Sequence, residues 1–336
     1  MVTVAPARHR GSLLVDTDLT KAQFLALISL AAELKRDKHT GAEHGRLAGR
    51  NLALVFEKNS TRTRAAIEVA AFDQGAHVSY FGTTGSHVGK EESIPDTARV
   101  LGRMYDAIAF RGFHQSTVTQ LADHSGVPVW NALTDDWHPT QSLADVFTMT
   151  EHHAGELESI AFCFCGDGRN NVARSLLVAA AQLGMDVRIA APASLQPPPS
   201  VIAIAQEAAA KSGARVLVTD DIAAAVHGVD FLHTDVWLSM GEPDEQWESR
   251  VRDLLPFRVT PELMAATGNP NTKFMHCLPA IHNSQTAVGA RVLEQFGLDG
   301  AEVCEEVFES PAAIVFEQSE NKLHTFKAVL VSSLSN

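Results

Sequence analysis

Nine consecutive residues, Phe56-Glu57-Lys58-Asn59-Ser60-Thr61-Arg62-Thr63-Arg64, set hydroxyls and arginines where an apolar run gives way to a helix-compatible stretch. The first turn of a helix has unpaired backbone N–H groups and the positive end of the peptide dipole, and both attract phosphate. Ser60, Thr61 and Thr63 add hydroxyl donors, and Arg62 adds a planar fork matched to phosphate oxygens. A well-capped helix with solvated arginines accounts for the same composition, so the segment alone leaves both readings open.

Other segments offer complementary chemistry. Phe110-Arg111-Gly112-Phe113 puts an arginine just past an apolar run, where ligand sites of α/β proteins collect. Trp137-His138-Pro139-Thr140-Gln141 supplies an imidazole, a hydroxyl and an amide at a helix start. His138 is a candidate donor to a carbonyl oxygen as negative charge develops on it. Singly, each has an ordinary reading, Arg111 as a surface ion pair and His138 as a turn residue. His276 next to Cys277 invites a thiol-nucleophile reading, but sequence adjacency does not bring two side chains together and no third orienting group is visible. Gly166-Asp167-Gly168-Arg169-Asn170-Asn171 has the strand-to-helix context of a dinucleotide fingerprint. Asn171 occupies the third glycine position, where its side chain obstructs the close approach, and Asp186 begins the next strand instead of ending it.

The elements that must hold these residues alternate. Residues 18–35 repeat apolar positions at helical spacing, with Thr17 as the expected cap. Strands are expected at 51–56, 77–81, 105–110 and 128–132, and a connecting helix at 138–152. The rhythm restarts with a strand at 159–165, a helix at 172–183 and a strand at 186–191. A triple proline precedes a helix at 201–211, strands follow at 216–219 and 231–234, and a last helix runs over 319–333. Strand–helix alternation predicts parallel sheets covered on both faces. The expectation is α/β: two doubly wound parallel-sheet domains with the active site in the cleft between them.

Bulk properties limit the function. The chain has 336 residues, 45% hydrophobic and 20% charged, with a net charge of −13 and no basic tract. That disfavours nucleic acid as a partner, while a few local arginines still suffice for a small anion. Residues 1–11 lack the apolar core of a signal peptide and no apolar run reaches membrane-spanning length. The four cysteines are scattered, with neither a disulfide framework nor zinc-ligand spacing. A cytoplasmic protein with no metal and no organic cofactor is expected.

Taken together, the ordered motifs resemble the aspartate/ornithine carbamoyltransferase family. Ser60-Thr61-Arg62-Thr63-Arg64 is similar to its phosphate signature and His138-Pro139-Thr140-Gln141 to its second element. Asp235-Val236-Trp237-Leu238-Ser239-Met240-Gly241-Glu242 and His276-Cys277-Leu278-Pro279-Ala280 are similar to the ornithine branch. The resemblance spans nearly the whole chain. It implies a carbamoyl phosphate-binding domain over 1–150, joined by the helix 318–336, and an ornithine-binding domain over 151–317. It further implies that Ser60, Thr61, Arg62 and Thr63 hold the phosphate. Arg111, His138 and Gln141 would contact the carbamoyl group with the backbone at Cys277 and Leu278, and Pro139, Thr140 and Lys322 would complete the carbamoyl phosphate site, Lys322 at its phosphate or its carbamoyl end. Asn171, Asp235, Ser239 and Met240 would hold the amino-acid head of ornithine. Arg62, Arg111, His138 and Cys277 are the implied catalytic residues. The implied reaction gives citrulline and phosphate in arginine metabolism, without cofactor, in a homotrimer or a multiple of trimers.

The sequence departs from the family in two implied contacts. His87 stands where glutamine is common, in a loop that in the family reaches a neighbouring subunit's substrate. Lys322 stands where an arginine is usual, keeping the charge and losing the fork. Residues 281–283 read Ile-His-Asn instead of Phe-His-Asp. Two alternatives stay beside the main reading: a carbamoyltransferase for a related amine, and a non-catalytic paralogue of the fold.

Overall fold

A computed structural model describes residues 11–83, 92–239 and 241–335. The described chain divides into two units, one running through Phe147 and resuming at Glu320, the other Thr148–Ser319.

In the first unit α1 (Lys21–Thr40) precedes β1 (Asn51–Phe56), α2 (Thr61–Asp73), β2 (His77–Phe81), α3 (Ile94–Met104), β3 (Ala107–Arg111), α4 (Gln115–Ser125), β4 (Val129–Leu133) and α5 (Pro139–Glu151). The strands pair in parallel in the order β2-β1-β3-β4. β1 is buried at every position after Asn51, as a strand flanked by two neighbours and covered on both faces must be. β2, at the edge, is only half-buried. The apolar core of this unit gathers Leu14, Ala53, Val55, Ile108, Phe110, Val118, Leu121 and Val129. Successive strands β1 and β2 lie on one side and β3 and β4 on the other. The carboxyl ends of β1 and β3, with Phe56 opposite Arg111, therefore form a topological switch point.

The second unit repeats the plan. β5 (Ala161–Cys165), α6 (Asn171–Leu183), β6 (Asp186–Ala190), α7 (Pro199–Ser212), β7 (Arg215–Thr219), α8 (Ile222–Val226) and β8 (Phe231–Thr234) come first. α9 (Trp247–Leu254), α10 (Pro261–Ala266), β9 (Lys273–His276), α11 (Ala287–Phe296) and α12 (Glu305–Phe308) follow, and the chain returns to the first unit within α13 (Val315–Leu334). The parallel sheet runs β7-β6-β5-β8-β9, with its switch point between β5 and β8. The two parallel sheets with intervening helices bear out the α/β expectation.

The first helix corrects one expectation. It begins at Lys21 and its cap is Thr20, whose hydroxyl accepts the Gln23 N–H while Gln23 returns a bond to the Thr20 backbone. Thr17 lies instead in a short 3-10 turn, Asp16–Asp18. The reciprocal cap at Thr20 satisfies two backbone donors, more than a lone threonine offers. The last helix also starts earlier than expected, at Val315. β9 had no counterpart in the sequence reading, because four residues of mixed polarity carry too short a pattern.

Candidate active site

The turn between β1 and α2 is shaped by its own side chains. Ser60 is extended (φ −159°) and its hydroxyl accepts the Thr63 N–H at 3.2 Å, which fixes the start of α2. The neighbouring strand end is tied to it. Glu57 N–H donates to the Arg111 carbonyl at 2.8 Å, and Glu57 Oε2 accepts the Phe113 N–H at 3.1 Å. Gly112 is required here, since a Cβ would lie 2.2 Å from Glu57 Oε2 and 2.3 Å from the Phe110 ring. Lys58 is buried, pairs with Asp135 and stands 4.5 Å over the Phe113 ring. The outcome is that Arg111, 6% exposed, extends its Nη1 to Thr63 Oγ1 at 3.4 Å. The arginine from β3 thus meets the Ser60–Thr63 turn.

The β4–α5 junction adds the second group. His138, Thr140 and Gln141 are all buried. Thr140 Oγ1 donates to the Asn131 carbonyl at 3.3 Å and stands 3.4 Å from His138 Nδ1. Lys322, from α13 and also buried, donates to Gln141 Oε1 at 2.9 Å and lies 3.4 Å from His138 Nε2. Gln141 Nε2 donates to Asp145 at 2.7 Å. Burial first, then the charges of Lys322 and Arg111, hold the His138 imidazole well below its usual pKa, so the ring is neutral near pH 7. In this unit the structure therefore joins Thr63 to Arg111 and His138 to Gln141 and Lys322. Pro139 opens α5, Thr61 opens α2 and Arg62 follows it, half-buried. His87 lies outside the described residues.

In the second unit, the carboxyl ends of β5, β8 and β9 carry the remaining candidates. Asp235, just past β8, is buried and accepts three bonds: Asn170 Nδ2 at 2.9 Å, the Val236 N–H at 2.9 Å and the Cys277 thiol at 3.3 Å. Asn171 opens α6, and Asn170 caps it through Val172 N–H at 2.7 Å. Ser239 N–H donates to Glu242 Oε2 at 2.7 Å. Met240 lies outside the described residues.

The structure gives Cys277 and His276 separate hydrogen-bond partners. His276 Nδ1 accepts the Leu278 N–H at 2.9 Å and its Nε2 faces Glu302 Oε1 at 3.3 Å. One ring nitrogen is thereby taken by the Leu278 N–H and the other faces a carboxylate that is itself fully buried, while the Cys277 thiol donates to Asp235. Glu302 also accepts the Ile281 N–H at 2.6 Å. Leu278 sits at φ +59°, a conformation costly for a branched side chain, and is held there by its bond to His276.

Two domain models of known proteins match the chain. "Aspartate/ornithine carbamoyltransferase, carbamoyl-P binding domain" covers residues 12–151, and "Aspartate/ornithine carbamoyltransferase, Asp/Orn binding domain" covers 158–333. The chain belongs to the aspartate/ornithine carbamoyltransferase family. It is 58% identical over 330 residues to the ornithine carbamoyltransferase of Actinobacillus pleuropneumoniae, covering 98% of each chain. It is 56% identical, with the same coverage, to the catabolic ornithine carbamoyltransferase of Haemophilus influenzae. Among solved structures, ornithine carbamoyltransferase from Pyrococcus furiosus superposes with a TM-score of 0.88 at 38% identity, 99% of each chain being covered.

For this carbamoyltransferase-family chain, the sequence reading missed three residues that organise the second unit. Asn170 binds Asp235, Glu302 faces His276, and Gln318 Oε1 accepts the His276 N–H at 2.9 Å. Asn170 lies in the Gly166–Asn171 turn, and its carboxamide was the available signal. Glu302 and Gln318 are remote in sequence and gave none. Asp235, His276 and Cys277 also bring ligand-type atoms within 4.8 Å of one another, as do His39 with Glu320 and His324, and His282 with Glu305 and Glu309. At Asp235 and His276 those atoms already serve the internal bonds just described. Among the described residues, no helix is long and apolar enough to cross a membrane.

Proposed function

We propose that the chain is an enzyme that transfers the carbamoyl group of carbamoyl phosphate to the δ-amine of L-ornithine, giving L-citrulline and phosphate in arginine metabolism. The observation that carries the reading is the contact of Arg111 with Thr63, which adds a guanidinium from β3 to the hydroxyls and backbone at the start of α2. Such a set suits a phosphoryl group and the carbonyl next to it. The names of the relatives, at more than half identity over nearly the whole length, supply the acceptor.

In this reading Ser60, Thr61, Arg62 and Thr63 hold the phosphate, with His87 contributing from a neighbouring subunit. Arg111, His138, Pro139, Thr140, Gln141 and Lys322 surround the carbamoyl group, with the Cys277 and Leu278 backbone. Asp235 takes the α-ammonium of ornithine, and Asn171, Ser239 and Met240 its carboxylate end. An α-ammonium next to a buried carboxylate is a charge-assisted pair, so an amine lacking it is expected to be a poorer acceptor.

The δ-nitrogen attacks as a neutral amine. Its lone pair forms the C–N bond while the carbonyl π pair moves onto oxygen. The tetrahedral intermediate collapses as the oxyanion pair reforms the carbonyl and the bond from carbon to the bridging phosphate oxygen breaks, phosphate leaving with that electron pair and taking up the proton lost by nitrogen. Positioning and cationic donors aimed at the oxyanion lower the barrier, one such donor being worth about 3 kcal/mol. The proposal extends to a cytoplasmic enzyme that self-associates as a homotrimer or a multiple of trimers.

A steady-state assay with carbamoyl phosphate and ornithine, reading citrulline colour, tests the activity. Lysine, putrescine and diaminobutyrate in place of ornithine test the acceptor. Faster turnover with any of these three overturns the assignment of ornithine. Mixing His87→Ala with Arg62→Ala subunits tests the shared site, and partial recovery of activity is expected.

A further inference from the structure

Lys322 is a buried ammonium-bearing side chain set against His138 and Gln141, and its surroundings bear on the tautomer of that histidine. An ammonium donates hydrogen bonds and accepts none. With Lys322 Nζ 3.4 Å from His138 Nε2, that ring nitrogen must be the acceptor. The contacts of the opposite nitrogen are consistent with this. With Nδ1 protonated, it donates to Thr140 Oγ1 at 3.4 Å, and the Thr140 hydroxyl is free to donate to the Asn131 carbonyl at 3.3 Å. Donors and acceptors then run in one direction, from Lys322 through His138 and Thr140 to the Asn131 carbonyl. A second branch runs from Lys322 through Gln141 to Asp145.

We infer that Lys322 holds His138 as its Nδ1–H tautomer, so that His138 positions Lys322 as a hydrogen-bond acceptor and the Lys322 charge, with Arg111, meets the developing carbamoyl oxyanion. This rests on the carbamoyl transfer proposed above and revises one part of it: His138 is a positioning residue in this chain, not the oxyanion donor expected from the sequence. The neutrality of the buried ring agrees, because an imidazolium would set two positive charges against each other. An arginine at 322 would bring a wider fork. The ammonium, a compact point charge, needs the imidazole and the Gln141 amide to fix its place.

The tautomer is read without substrate, by long-range nitrogen–proton correlation on protein labelled with ¹⁵N-histidine, the His138 signal being identified by its loss in His138→Gln. A pyrrole-type Nδ1 and a pyridine-type Nε2 at pH 7 are expected. In kinetics, Lys322→Met is expected to lower kcat/KM for carbamoyl phosphate about a hundredfold, the size of one lost oxyanion group, with KM for ornithine within about twofold. Lys322→Arg should restore most of the loss. A pyrrole-type Nε2 in the wild-type spectrum overturns the inference, as does Lys322→Met with unchanged carbamoyl phosphate kinetics. Failure of the transfer reading itself would show separately, as absence of citrulline from the wild-type enzyme.

Discussion

The Cys277 thiol donates to Asp235 Oδ1 at 3.3 Å, although its neighbour in sequence is His276. The pairing ties the end of β9 to the end of β8 and uses the sulfur as a hydrogen-bond donor. In this arrangement the thiol is a hydrogen-bond donor that holds the Asp235 carboxylate, a positioning role that needs no attack by sulfur.

Cys277→Ala should therefore reduce turnover without abolishing it. Losing one hydrogen bond to a charged group costs about 1.5–3 kcal/mol, which corresponds to roughly a ten- to hundredfold loss. Intact-mass measurement during turnover should detect no carbamoylated protein. A stoichiometric mass adduct on Cys277 would restore the covalent route.

Arg62 follows the first residue of α2, in the turn assigned to phosphate. Arg62→Ala is expected to weaken carbamoyl phosphate binding and turnover together, by about a hundredfold or more in kcat/KM. Initial rates across a carbamoyl phosphate series check this, and unchanged kinetics would leave the phosphate assignment without support.

Asn170→Ala removes the carboxamide that fixes Asp235 from the start of α6. A loss of about 1.5–3 kcal/mol in ornithine binding is expected, with KM for carbamoyl phosphate unaffected. Isothermal titration with norvaline, which keeps the amino-acid head and lacks the reacting amine, separates binding from chemistry.

Arg250 is buried, donating to Asp167 at 3.0 Å and to Glu242 at 2.7 Å. Arg250→Met removes one charge-assisted partner from each carboxylate, Asp167 keeping Arg169 and Glu242 the Ser239 N–H, and is expected to cost about 1.5–3 kcal/mol. Urea denaturation followed by circular dichroism should show a lowered midpoint, and an unchanged midpoint would mean that the pair is not coupled to folding.

Burial, with the nearby charges of Lys327 and Lys35, lowers His324 to a pKa of about 4 against the bonding effect of Glu320. A histidine whose folded pKa is depressed supports the fold above its unfolded pKa, about 6.5, and loses that contribution as pH falls toward 4. Denaturation midpoints should therefore decline across pH 6.5 to 4. In His324→Gln the decline should be shallower, and an identical slope would assign it to other groups.

Much of the fold was legible because its signals are local. β1, β2 and β8 begin and end where their apolar runs do, and Gly166 to Asn171 reads as a strand-to-helix turn. Ser60 to Arg64 and His138 to Gln141 were legible for a similar reason: each pairs a helix start with side chains suited to an anion or a carbonyl. The family resemblance added Asp235 and Lys322, whose individual residue types say little. The start of α1 was misplaced because two threonines compete there, and only backbone geometry distinguishes the one whose bond is returned by a glutamine.

The sequence alone determined the alternating parallel architecture, the family and the chemical character of the candidate site, because these depend on side-chain type and short-range order. Only the tertiary structure decided that Cys277 turns to Asp235, that Glu302 faces His276 and that Lys322 engages His138. Each of these contacts spans more than twenty residues of chain. Their directions follow from burial and from the number of protons each group has to give, which no local pattern encodes.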